Sequence, residues 1–326
     1  MSALTGFYLH PSASLHDTGW GHPEHQGRLR ALASTVGRDL VMLHGRVEQQ
    51  ESPEATEEQL LRVHTPGHMK LVRDMCVSAD VQQKVLALDP DTKVSGASWE
   101  AAVGSAGAAI AAVSAVADGD LASAFVACRP PGHHATPDRA MGFCLFNNVA
   151  VAARHLQATG RAERVLIVDW DVHHGNGTQD AFYDDPTVFF LSLHQAPHFP
   201  GTGHEDQIGE GGGEGYTLNV PLPAGTSRES YRIRFRDALE AAVARMAPDF
   251  VLVSSGFDCL ADDPLGGFLL EPEDLYQMAR EVVDLADAQC GGRVVAVLEG
   301  GYEPSRVGVA SVSVIRALAG LPDPAA

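Results

Sequence analysis

Apolar positions recur at helical spacing through the first third of the chain, and beyond it short, wholly apolar runs alternate with amphipathic ones. Residues 27–43 and 57–77, the latter broken at Pro66-Gly67, predict helices. Residues 98–117, rich in Ala and Gly with Trp99 near the start, predict a helix packed closely on its neighbours. A short first strand is expected at 7–9, and further strands at 124–127, 164–168, 188–193, 216–221, 250–254 and 294–298. Between them lie helical patterns at 147–156, 179–183, 227–246 and 272–288, and a last helix closes the chain. Strands without a polar face are buried on both sides, which requires helices above and below a parallel sheet. The fold class expected is therefore α/β, in one domain spanning 1–326, since no repeat, heptad run or linker divides the sequence. The His-, Gly- and Pro-rich loop 10–25 is expected at a rim, and the glycine-dense 201–215 is expected to be the most flexible internal stretch.

Composition narrows the function classes. The formal net charge of -19 disfavours nucleic acid and anionic membranes as partners, and favours cationic ligands such as lysine-bearing peptides or amines. The five cysteines, Cys76, Cys128, Cys144, Cys259 and Cys290, are scattered and contain no C-x-x-C pair. That pattern points to a reducing compartment and away from disulfides or a cysteine zinc site. Residues 1–10 have neither a basic region nor a long apolar run, and no segment is expected to span a membrane. The expected location is the cytoplasm. Nothing in the sequence decides between a monomer and a homo-oligomer.

The candidate chemistry gathers at strand ends, where open α/β sheets bind ligands. The strand at 164–168 runs into Asp169-Trp170-Asp171-Val172-His173-His174-Gly175-Asn176-Gly177. Side chains alternate along extended backbone, so Asp169, Asp171 and His173 share a side, and Asp171 with His173 can grip one cation. Asp258 follows the strand at 250–254; it reads either as a third ligand or as a turn acid. Two carboxylates and an imidazole make an open site that suits zinc, with ferrous iron, cobalt or manganese also fitting. His133-His134 follows a Pro-Pro-Gly turn, and Asp169 and Asn176 are natural partners for the far ring nitrogens. One of these imidazoles can shuttle a proton. Tyr302, after two glycines, either packs in the core or donates to a developing oxyanion opposite the metal.

In order along the chain stand Arg129-Pro-Pro-Gly-His-His-Ala135, Gly142-Phe-Cys-Leu-Phe-Asn-Asn148, the 169–177 motif, Pro200-Gly-Thr-Gly203, Ser255-Gly-Phe-Asp258 and Leu298-Glu-Gly-Gly-Tyr302. Together with His22-Pro23-Glu24 and Arg28, they closely resemble the zinc-dependent histone deacetylase family, including its bacterial amidohydrolases, acetylpolyamine amidohydrolases and acetoin-utilisation proteins. The resemblance implies the three-layer arginase-deacetylase fold, an eight-stranded parallel sheet between helices. It implies zinc on Asp171, His173 and Asp258, His134 as general base and acid, and His133 as its electrostatic partner paired with Asp169. Tyr302 matches the tyrosine that polarises the scissile carbonyl, and Asn176 the partner of the catalytic histidines. Phe143 and Phe199 match the tunnel's aromatic walls, Gly142 its backbone acceptor, Asp91 the rim acid that holds the substrate backbone, and Arg28 the arginine beside the acetate exit channel. Potassium, the second cofactor implied, maps onto Asp169, Asp171, His173, Ser192 and Leu193, with another site near Phe182, Val188 and Tyr216.

Two departures refine the resemblance. Asn176 replaces the acid of the commonest eukaryotic nuclear enzymes, which with Arg-Pro-Pro-Gly-His-His resembles the class II branch and its bacterial relatives. Leu265 stands where the polyamine deacetylase has a glutamate, so the resemblance implies acyl-lysine peptides or proteins as substrates ahead of acetylpolyamines and other small N-acyl amines. Tyrosine at 302 implies full amidase activity. A non-catalytic acyl-lysine reader would not need the whole inventory, and an arginase-like hydrolase would need acids for a second metal.

Overall fold

The computed structural model describes residues 4–43 and 45–323, so positions 1–3, 44 and 324–326 of the expected 1–326 domain lie outside the described residues. The chain begins with β1 (Thr5–Tyr8), α1 (Gly27–Leu43), β2 (Val47–Gln50), α2 (Glu57–Leu60) and α3 (Pro66–Gln82). A two-residue ribbon, β3 (Leu86–Ala87) and β4 (Lys93–Val94), precedes α4 (Ser98–Asp118) and β5 (Ser123–Val126). Then come α5 (Asn148–Ala158), β6 (Val165–Asp169), α6 (Asn176–Phe182), β7 (Val188–Gln195) and β8 (Thr217–Leu222). The last elements are α7 (Arg228–Arg245), β9 (Phe250–Ser255), α8 (Pro272–Cys290), β10 (Val294–Leu298) and α9 (Pro304–Leu318).

The main sheet has eight strands in the order β2-β1-β5-β10-β9-β6-β7-β8. Every neighbouring pair in it is parallel. Side-chain alternation divides β6 between two cores: Leu166 and Val168 pack with residues of α1, α7, α8 and α9, while Val165 and Ile167 pack with α4 and α5. This is the three-layer arrangement the alternating pattern predicts, and the expected fold class holds. Strands β5 and β6 follow each other in the chain but are separated in the sheet by β10 and β9. Four motif-bearing strand ends thereby become neighbours, with register fixed by pairs such as Asp169↔Ser254 and Leu298↔Ser255.

Three local expectations are corrected. β2 was not foreseen, because in Val-Glu-Gln-Gln only Val47 is buried and a polar edge strand carries no apolar signature. α4 is, against expectation, long and apolar enough to cross a membrane, yet 72% of that stretch is buried within the fold. Its glycines admit neighbouring chain: a Cβ on Gly107 would lie 2.0 Å from the Pro53 carbonyl. Finally, the glycines of 201–215 serve close approach as well as freedom. The Glu210 N–H donates to Tyr183 O at 2.8 Å, Gly215 N–H donates to Ile208 O at 2.7 Å, and a Cβ on Gly209 would lie 2.0 Å from Gly213 O.

Candidate metal centre

At the end of β6 each acid folds the chain onto the next residue of the motif. Asp169 Oδ1 accepts the Asp171 N–H at 3.0 Å, and Asp171 Oδ1 accepts the His173 N–H at 2.9 Å. Asp258, just past β9, accepts the Val172 N–H through Oδ1 at 2.9 Å, which joins the two strand ends. Potential ligand atoms of Asp171, His173 and Asp258 lie within 4.8 Å of one another, and all three residues are buried. His173 Nδ1 sits 3.0 Å from Asp171 Oδ1 and 3.3 Å from Asp258 Oδ2. The Gly300 N–H donates to Asp171 Oδ2 at 2.8 Å; a Cβ there would come within 2.0 Å of Asp258 Oδ2, so only glycine fits.

This constellation suits a divalent cation. Among the described residues Asp258 Oδ2 is buried without a hydrogen-bond partner, and two buried carboxylates face a single imidazole. Burial and the Asp171 charge push the Asp258 carboxyl upward. Burial also opposes the Asp171 charge, but His133 and His173 hold that carboxyl below its usual range. His173, despite its burial, is raised to about 10 by its contacts with Asp171 and Asp258. A divalent ion would offset the same negative charge that favours an extra proton on His173.

The histidine pair lies beside these atoms, with ring centroids 4.0 Å apart. Glu299, at the end of β10, shapes their turn by accepting the N–H groups of Gly132 and His133 at 2.7 and 3.0 Å. His133 Nδ1–H donates to Asp169 Oδ2 at 3.0 Å, and its Nε2 lies 3.8 Å from Asp171 Oδ1. Burial works against a charge on His133, yet Asp171 and Asp169 raise it to about 10. His134 differs. Its Nδ1–H donates at 2.8 Å to Asn176 Oδ1, which can only accept, so Nε2 keeps a free lone pair. Burial, followed by the charges of His133 and His173, pushes His134 well below 6.5. A neutral base therefore stands beside a charged neighbour.

Tyr302 completes the floor. Its turn leaves β10 through Gly301 at φ +113, a conformation suited to glycine. Arg28 is fully buried behind it; Nε donates to Gly301 O and Nη2 to Glu299 O, both at 2.5 Å, and the guanidinium lies 5.0 Å from the Tyr302 ring centroid. Burial and Asp258 push the phenol well above 10, so it keeps its proton. Above this floor a cavity of about 570 Å³ is lined by His134, His173, Tyr302, Gly142, Phe143, Phe199, Leu265 and Asp91, among others. Phe143 holds φ at +68 and packs edge-on against Tyr302 at 5.7 Å, while Phe199 packs edge-on against His134 at 5.1 Å. Gly142 is needed where it stands, since a Cβ would lie 2.3 Å from the His134 ring.

The other expected residues fall in two places. Ser192 pairs with Asp169 across β6 and β7, next to Leu193, and its hydroxyl is 3.0 Å from His194 Nδ1. Phe182, Val188 and Tyr216 gather toward the amino end of β7, beneath the guanidiniums of Arg154 and Arg245, each 4.5 Å from the Phe182 and Tyr216 rings respectively. Three residues around the cavity carry no expectation from sequence. Glu299 holds the histidine turn, Asp263 accepts the Tyr302 N–H at 2.6 Å, and the His198 ring stacks on His173 at 4.8 Å. Glu299 was visible as an acid directly after a wholly apolar strand; the other two occupy loops with no periodic signal.

Comparison with known proteins agrees with this arrangement. A family profile described as the histone deacetylase domain matches residues 22–318. A protein of Archaeoglobus fulgidus named as a probable deacetylase is 36% identical over 318 residues, covering 97% of this chain and 87% of its own. The histone deacetylase-like amidohydrolase of Pseudomonas aeruginosa is 38% identical over 317 residues, covering 97% and 80% respectively. Among solved structures, the crystal structure of the HDA15 HD domain superposes with a TM-score of 0.90 at 36% identity, covering 98% of this chain and 89% of that one.

Proposed function

The chain belongs to the histone deacetylase family, and from that premise we propose that it is a zinc-dependent amidohydrolase that removes acetyl or other acyl groups from N-acyl-lysine side chains. One observation carries the reading: the His134 imidazole, the Tyr302 phenol and His173 line one cavity, and His173 converges there with the buried carboxylates of Asp171 and Asp258. Asp171, His173 and Asp258 would hold the zinc, which when bound would supply a Lewis acid for the amide carbonyl and lower the pKa of water. His134 Nε2 takes the proton of the attacking water and returns it to the departing amine, while Asn176 keeps the ring in the required tautomer. His133, charged against Asp169, offsets negative charge gathering on the floor. The Tyr302 hydroxyl donates to the oxygen that becomes negative as the carbonyl is attacked. Phe143 and Phe199 flank the lysine's methylene stem, Asp91 receives the peptide at the mouth, and acetate leaves past Arg28. Potassium at Asp169, Asp171, His173, Ser192 and Leu193, with a second site near Phe182, Val188 and Tyr216, belongs to the same proposal. Five free, buried cysteines support a reducing, cytoplasmic setting.

Leu265 favours acyl-lysine over acetylpolyamine, because its side chain offers no charge to a second ammonium. The test is acetate release by the zinc-loaded protein from an acetyl-lysine peptide and from acetylspermidine. We expect the peptide to be preferred in kcat/KM. Preference for the polyamine would reassign the substrate, and no release from either would defeat the reading.

A further inference from the structure

We infer that Asp263 is a positioning residue for Tyr302, tying the phenol's backbone to the tunnel mouth at Leu265. The inference deepens the deacetylase reading and rests on it. Asp263 is buried, at 6% exposure. Its Oδ1 accepts the Leu265 N–H at 2.9 Å and its Oδ2 accepts the Tyr302 N–H at 2.6 Å. The first bond is an ordinary side-chain turn of the kind aspartate forms with the residue two ahead. The second reaches a distant segment and is not needed for that turn.

The segment Glu299 to Tyr302 needs such a restraint. Gly300 and Gly301 let the backbone pass over Asp171 and Asp258, and for the same reason they bring little conformational preference of their own. Arg28 binds the carbonyls of Glu299 and Gly301, leaving the amide side of Tyr302 to Asp263. Asp263 lies in the field of Asp258, so a second buried carboxylate is an electrostatically costly choice unless both of its oxygens are used.

The contacts continue around the mouth. Leu265 O accepts His198 Nε2–H at 2.8 Å, and the His198 ring lies nearly parallel to His173, with 16° between the planes. A continuous path thus runs from Tyr302 through Asp263, Leu265 and His198 to a candidate metal ligand.

The test is a double-mutant cycle on acetyl-lysine peptide with zinc-loaded protein, pairing Asp263→Asn and Asp263→Ser with Tyr302→Phe. Asp263→Asn replaces one carboxylate oxygen with an amide nitrogen, and Asp263→Ser removes the carboxylate and leaves one hydroxyl. We expect kcat to fall about 10- to 100-fold with KM within about threefold of the parent. In the Tyr302→Phe background the same substitutions should cost less than about twofold more, because they act through the hydroxyl already removed. Equal fold losses in both backgrounds, a change confined to KM, or loss of folding in both Asp263 variants would overturn the inference in favour of a structural role. A parent protein that releases no acetate would instead remove the deacetylase reading and the inference with it.

Discussion

At the base of the cavity His134 and His173, and behind them His133, Asp169, Asp171 and Asp258, are all buried, and each is hydrogen-bonded to a neighbouring residue. At its mouth Phe199 is 41% exposed, Trp20 in the neighbouring loop is fully exposed, and Asp91 is anchored only through backbone, its carbonyl accepting His22 Nε2–H at 2.9 Å. The floor is fixed by strand ends, glycines that admit close approach, and charge pairs that cannot be rearranged one at a time. The mouth is made of loops, and of its side chains Phe199 and His198 reach inward to pack on His134 and His173. On the proposed reading, chemistry and selectivity are held by different parts of the molecule, and the inferred role of Asp263 is to join them.

The largest effect should come from the floor. Tyr302→Phe removes one hydroxyl and leaves the ring contacts with Phe143 and Arg28 in place, so kcat should fall about 10²- to 10³-fold with little change in KM. Steady-state kinetics on an acetyl-lysine peptide provide the check; a loss expressed wholly in KM would move Tyr302 from floor to mouth in function.

The next effect concerns what stands behind the floor. Glu24 is buried between Arg28 and Arg129, at 3.1 and 2.8 Å, with His16 at 3.7 Å. Burial opposes its charge, but Arg129 and Arg28 hold the carboxyl at about 2. His16 is lowered by burial to about 4, against the pull of Glu24. Both depressions make the unfolded chain bind more protons than the folded one in acid. The stability that these two groups contribute should therefore be constant above pH 7 and decline as pH falls from about 6.5 to 4 through His16. His133 and His173, raised to about 10, instead contribute stability that is lost as pH rises from about 6.5 to 10. The share from His16 and Glu24 should decline again between about 4.5 and 2 as Glu24 loses its charge, a contribution on the order of 3 kcal/mol. Urea midpoints across this range test it; Glu24→Gln should flatten the lower limb, and an unchanged midpoint from pH 7 to 4 would contradict the burial argument.

The smallest effect belongs to the mouth. Leu265→Glu places a carboxylate where a second ammonium would lie and should shift kcat/KM toward acetylspermidine by about 5- to 10-fold, with acetyl-lysine turnover nearly unchanged. A collapse of peptide turnover would show that mouth and floor are less separable than their hydrogen bonding suggests.

The same contrast governs how much could be read from sequence. Asp169, Asp171 and His173 lie within one run, and alternation along extended backbone already puts them on one side. The apolar strands were equally plain, because burial on both faces leaves a continuous signal. β2 gave none, since three of its four residues are polar. α4 was legible as a closely packed helix, and its apolar, small-residue surface serves packing against His10, Pro53 and neighbouring elements. His198 and Asp263 act through loop contacts between segments far apart in the chain, and no local rule of spacing reports such contacts. Phe143, in a left-handed conformation that aromatic residues rarely adopt, was recognisable only through its motif.

The most direct test of the central claim is anomalous diffraction at the zinc edge from crystals of the zinc-loaded protein. The account predicts one strong peak per chain at bonding distance from Asp171, His173 and Asp258, about 2.0–2.2 Å from each ligand atom. No peak at this centre, or a peak elsewhere with these three side chains turned away from one another, would contradict it.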